Sequence, residues 1–147
     1  MLPLQRVLCP TDFSHASYAA LDAAKELAQQ FGAELIILHV VPLMSALFAK
    51  HLDLDDYQEK EKRFALKEIN RIINKSIGPD MNVQKIVVAG DPAQEIIAFA
   101  ESEHANIVVI ATHGESAFHN FVFGSVAEKV LRRSSRPVLV IRSPDSK

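Results

Sequence analysis

The run Leu35-Ile36-Ile37-Leu38-His39-Val40-Val41, closed by Pro42, limits the possible folds more than any other stretch of this sequence. It has no polar alternation, so a strand made from it has no side to show to water. Continuous β-branched and aliphatic runs of this kind belong to parallel sheets covered on both faces. A parallel sheet in turn requires crossover helices between its strands.

The rest of the chain supplies them. Val7-Leu8-Cys9 forms a short apolar strand ending at Pro10, and Thr11-Asp12-Phe13-Ser14 offers turn and N-cap chemistry ahead of a helix from about His15 to Phe31. Ala16, Ala20, Ala23, Ala24, Leu27, Ala28 and Phe31 recur at helical spacing, and Gly32 stops the pattern. A charged helix is expected from Asp53 to Ile77, with Phe64 or Ala65, Ile69, Ile72, Ile73 and Ile77 inward and Gly78-Pro79 as its breaker. The charge run Glu59-Lys60-Glu61-Lys62-Arg63 reads as its solvated face. Val83 to Ala89 is a third strand, and Gly90-Asp91-Pro92 is a turn, N-cap and N1 proline for a helix with Ile96, Ile97, Phe99 and Ala100 inward. Ile107 to Ile110 is a fourth strand, followed by a long loop and a helix with Val126, Ala127, Val130 and Leu131 inward. Pro137 to Arg142 is a fifth strand. The segment 43–54 is apolar but aperiodic, and suits a lid, a helical extension or a partner surface.

The order β-α-β-α-β-α-β-α-β predicts a single α/β domain over 1–147, a doubly wound five-stranded parallel sheet with helices on both faces. Right-handed crossovers require the strand order to reverse once. With the order 3-2-1-4-5, the reversal lies between the first and fourth strands. A ligand is then expected in the crevice between Pro10-Thr11-Asp12-Phe13-Ser14 and the loop from Thr112 to Phe123. That second loop runs from Ala111-Thr112-His113-Gly114 to Gly124-Ser125, where a helix begins. Unpaired N–H groups and the positive end of the helix dipole make such a place attractive to anions. Gly114 and Gly124 are expected to allow positive φ or a close approach to the ligand, and the Ser125 hydroxyl to cap the helix or meet a phosphate.

Composition narrows the functional classes. A formal net charge of −2 with 23% charged residues gives no basic field for nucleic acid. No apolar run approaches the ~20 residues that would span a membrane. Met1-Leu2-Pro3-Leu4-Gln5-Arg6 is too short before the first strand to read as a signal peptide, so a cytoplasmic protein is expected. The single cysteine, Cys9, falls within an apolar strand and reads as core.

Taken together, Pro10-Thr11-Asp12-Phe13-Ser14, Leu38-His39-Val40, Ala111-Thr112-His113-Gly114, Gly124-Ser125-Val126-Ala127 and Pro137-Val138-Leu139-Val140 resemble the universal stress protein family over essentially the whole chain. The resemblance implies the fold argued above, a homodimer, and membership of a family whose members divide between those that bind ATP and those that do not. The family's nucleotide motif, G-x2-G-x9-G-[S/T], falls on Ala111, Gly114, Gly124 and Ser125. It further implies ATP or AMP as ligand, with Mg²⁺ accompanying a triphosphate. By the same resemblance Asp12 lies at the ribose or adenine, with Pro10 and Thr11 as the wall beside it. Val40 meets the base, with Ile110 and Ala111 nearby. Gly114, Gly124, Ser125 and Val126 hold ribose and phosphates.

The sequence departs from the motif in two ways. Ala111 replaces the first glycine, adding a methyl group where a close approach is expected. The loop Glu115-Ser116-Ala117-Phe118-His119-Asn120-Phe121-Val122-Phe123 carries an acid and no Lys or Arg, and a carboxylate beside phosphates is repulsive.

Several other side chains have simpler explanations. His15, His113, His119 and Asp12 could converge on a metal, but histidines at a loop are more often polar surface, and no metal site is assigned. His39, at a strand end, reads as a hydrogen-bonded structural residue rather than a general base. Ser14 and His15 are adjacent and do not face each other on a helix. No carboxylate pair, Cys-x-x-Cys or Gly-Lys-Ser motif is present, so any ATP hydrolysis is expected to be slow. Two functions follow: a nucleotide-binding regulatory homodimer in stress response, or a nucleotide-free homodimer acting through protein contacts. In either, the apolar terminal strand is the expected dimer edge.

Overall fold

A computed structural model describes residues 2–43, 53–112 and 124–142. Its strands are β1 (Arg6–Pro10), β2 (Glu34–Pro42), β3 (Val83–Gly90), β4 (Ile107–Ala111) and β5 (Val138–Ile141). They form one parallel sheet in the order β3-β2-β1-β4-β5, as expected. The helices among the described residues are α1 (His15–Phe31), α2 (Leu54–Ile72), α3 (Pro92–Ser102) and α4 (Ser125–Arg133).

β2 is buried on both faces. Leu35 and Ile37 join Val7, Cys9 and Val109 under α1 and α2, while Ile36 and Leu38 join Leu8 and Val108 under α3 and α4. Small residues let the helices close on the sheet: Ala20, Ala24 and Ala28 on α1, Ala93 and Ala100 on α3, Ala127 on α4. Each fully buried Leu, Ile or Val contributes about 1.5–3 kcal/mol relative to an exposed one, so the two layers carry most of the stability.

The helix ends follow their local chemistry. Ser14 caps α1, accepting at Oγ from Ser17 N at 3.3 Å, and Gly32 ends it at φ 61°, donating to Ala28 O and Gln29 O. Asp53 Oδ1 accepts from the amides of Asp55 and Asp56, and Asp91 Oδ2 accepts from Gln94 N at 3.0 Å ahead of the N1 proline. The long helix expected to reach Ile77 does so in two parts. After Ile72 it widens into a π-helical turn, Ile73–Ile77, and the Gly78 amide donates to Ile73 O at 2.9 Å.

Two large side chains expected inward, Phe31 and Leu131, are exposed. Of the alternatives Phe64 or Ala65, Ala65 is the inward one, fully buried while Phe64 is exposed. Phe31 occupies the last turn of α1. Leu131 lies one residue off the buried Val130. Of the 43–54 segment only Leu43, Asp53 and Leu54 are described; the remainder, with its expected role, lies outside the described residues.

Candidate functional site

The strands at the reversal separate before they end. β1 pairs with β2 as far as Pro10↔Leu38, but with β4 only at Val7↔Ile107 and Leu8↔Val108. A crevice therefore opens between the carboxyl ends of β1 and β4, the place expected from topology. Register and pleat put Pro10, Val40 and Ile110 on the same face as Leu8, Leu38 and Val108, the face covered by α3 and α4. All three are buried.

One wall is the turn after β1, held rigidly. Thr11 N continues the ladder to Leu38 O at 2.8 Å, and its buried hydroxyl lies 2.9 Å from Ser17 Oγ and accepts from Phe13 N at 3.1 Å. Phe13 takes φ 63°, which turns its ring onto His39 with centroids 4.5 Å apart. His39 Nδ1 lies 2.8 Å from Thr11 O, and since a carbonyl only accepts, the proton is on Nδ1. The expected structural role of His39 is thus met. Asp12 is exposed and accepts from Ser14 N at 2.9 Å through Oδ1, so it braces the turn while Ser14 caps the helix. Its second oxygen takes no hydrogen bond among the described residues. Ser17 was not anticipated as part of this wall, because it reads as one more small residue on α1.

The other wall is the N-terminus of α4. Thr112 N donates to Ile141 O at 2.9 Å, and Gly124 N donates to Thr112 O, so the helix start is fixed to the end of β4. Gly124 is the N-cap at φ −71° and ψ 164°, ordinary extended backbone. The positive φ allowed for at this position is absent, because an N-cap residue sits in the β region. Gly124 brings no capping side chain, and the exposed Ser125 stands at the first helical position rather than capping. The amides of Ser125, Val126 and Ala127 thus lack helical acceptors at the positive end of the dipole.

Ala111 differs from the rest. Its methyl packs with Cys9, Val109 and α1, on the face opposite Val40 and Ile110. The methyl that replaces the motif glycine's hydrogen therefore enters the core layer rather than standing with the crevice face. Gly114, His113, His119 and the loop from Glu115 to Phe123 lie outside the described residues. Among the described residues no group of three or more His, Cys, Asp or Glu side chains is placed to hold a metal ion. No described helix is long and apolar enough to cross a membrane.

This architecture defines a class: a doubly wound α/β domain with a crevice at its switch point, walled by a braced β1 turn and a helix N-terminus that no side chain among the described residues caps. The Universal stress protein family matches residues 3–142, and the chain belongs to that family. Universal stress protein MJ0577 of Methanocaldococcus jannaschii is 27% identical over 97% of both chains. The solved structure of MJ0577 superposes with a TM-score of 0.86 at 28% identity, covering 97% of this chain and 98% of that one. Universal stress protein YxiE of Bacillus subtilis is 30% identical over 93% of this chain and 98% of its own. A universal stress protein crystallised in complex with cAMP is 26% identical, with a TM-score of 0.68 over 93% of this chain and 96% of that one.

Proposed function

We propose that this chain is a cytoplasmic regulatory homodimer that binds an adenine nucleotide in the β1/β4 crevice and acts in stress response. The observation that carries the reading is the uncapped α4 N-terminus, tied to the end of β4 and facing the braced β1 turn across the opened ladder. The similar protein in complex with cAMP supports adenine as the base.

In this reading the amides of Ser125 and Val126, with the Ser125 hydroxyl, receive phosphate oxygens beside Gly124, and Gly114 takes part from the loop. Asp12 offers its free carboxylate oxygen to a ribose hydroxyl, beside the wall of Pro10 and Thr11. Val40 and Ile110 pack against the base, with Ala111 supporting the strand end from behind. ATP and AMP both fit this scheme, and Mg²⁺ would accompany ATP on its phosphate oxygens. The single buried thiol suits a reducing compartment. The dimer is assigned to β5, an edge strand whose Leu139 is exposed.

Titration calorimetry with ATP and with AMP, each with and without Mg²⁺, tests the proposal, with Gly124→Trp filling the crevice as control. Saturable binding that is lost in the control is the expected outcome. A preference for AMP would show that the Glu115 loop rejects the outer phosphates. Absence of heat with every nucleotide, from folded protein, would overturn the reading in favour of a dimer acting through protein contacts.

A further inference from the structure

The turn after β1 is fixed by a side chain that lies outside it. Thr11 Oγ1 accepts from Phe13 N at 3.1 Å and lies 2.9 Å from Ser17 Oγ, which in turn donates to Ser14 O at 2.7 Å. Ser17 has one hydroxyl proton and a carbonyl only accepts, so the proton between the two hydroxyls belongs to Thr11. The chain of donors therefore runs one way: Phe13 N–H to Thr11, Thr11 O–H to Ser17, Ser17 O–H to Ser14 O. Thr11 is 6% and Ser17 5% exposed, so water does not readily stand in for either partner.

Asp12 is the middle residue of the small loop that Phe13 N closes on Thr11 Oγ1. Its neighbour Phe13 holds φ at 63°, a left-handed value that a bulky residue keeps only where its surroundings impose it. From β2 the turn is held by backbone groups of Thr11, with Thr11 N on Leu38 O and His39 Nδ1 on Thr11 O. From α1 it is held through the Thr11 hydroxyl, whose acceptor is Ser17. Without the Ser17 oxygen that hydroxyl loses its acceptor, and a rotation about χ1 towards another withdraws it from Phe13 N. Phe13 can then leave the left-handed region, and the Asp12 carboxylate moves with it.

We propose that Ser17, buried in α1, is a positioning residue for the nucleotide: through Thr11 it sets the turn that presents Asp12 to the ribose. This rests on the nucleotide reading above and adds to it a control of affinity from inside the first helix.

The test pairs ATP affinity by calorimetry with amide hydrogen exchange in the protein without nucleotide. Ser17→Ala places a better helix former within α1, so the helix is retained. Its Phe13 amide is expected to exchange at least about tenfold faster than in the wild type, and its ATP affinity to fall about tenfold, as the loss of one buried hydrogen bond implies. Thr11→Val, which removes the other hydroxyl of the same bond, should weaken ATP binding as well, and the double variant should bind no more weakly than Thr11→Val alone. Faster exchange at Phe13 with unchanged ATP affinity would make the bond merely structural and overturn the inference. Unchanged exchange in Ser17→Ala, or additive losses in the double variant, would overturn it too, and each of these results leaves the nucleotide site standing. No ATP binding by the wild type would overturn both.

Discussion

Cys9 lies fully buried in β1, and that burial, with the Asp22 carboxylate as a smaller cause, pushes its thiol up to about 12. The thiolate is the nucleophile, so a neutral buried thiol is inert at ordinary pH and behaves as a small apolar side chain. The shift has a consequence for stability. Below the unfolded value, near 9, both states are protonated and the thiol has no effect on pH dependence. Between about 9 and 12 the unfolded chain releases the proton and the folded one keeps it, so the unfolded state binds fewer protons and stability falls as pH rises. Urea unfolding at about pH 8 and about pH 10.5 should show the advantage of wild type over Cys9→Ala shrinking by about 2 kcal/mol, since each unit corresponds to about 1.4 kcal/mol. An unchanged difference would mean that the folded state admits the thiolate.

Among the described residues β5 pairs with β4 alone and leaves its other edge open. Pro137 O and Ile141 O accept from Val108 N and Thr112 N, so by alternation Val138 and Val140 direct their N–H and C=O groups away from β4. Val140→Pro removes an outward donor and leaves the β4 ladder intact. If the dimer pairs through this edge, the variant should elute as a folded monomer in light-scattering chromatography, with far-UV circular dichroism unchanged. A variant that stays dimeric would move the interface elsewhere. At this scale most of the fold was legible. β2 declares a two-sided core by its unbroken apolar run, and Ser14, Gly32 and Asp91-Pro92 mark helix ends by chemistry that needs no tertiary context. Periodicity did less well with Phe31 and Leu131, because it tells which residues share a stripe and not where the stripe leaves the sheet. The π-helical turn at Ile73–Ile77 carries no local signature either. The point where the strand order reverses was legible from topology, but the direction of Ala111 depends on pleat and register, which only the assembled sheet defines.

At the scale of the molecule, a ligand bound only by the folded state adds RT ln(1 + [L]/Kd) to stability, about 2.7 kcal/mol at a hundredfold excess over Kd. For a domain of this size that corresponds to a rise in melting temperature of roughly 5–10 °C. Differential scanning fluorimetry with ATP should show the shift, and Gly124→Trp should abolish it. The two walls of the crevice come from distant parts of the sequence, the turn after β1 early and the N-terminus of α4 late, brought together by the short ladder at Val7↔Ile107 and Leu8↔Val108 and by α1 packing on Val109 and Ala111. A chain emerging from the ribosome therefore has the first wall long before the second, and the proposed nucleotide site is incomplete until α4 has docked. Occupancy of the crevice would then serve as a certificate of finished folding, withheld from every partly made copy.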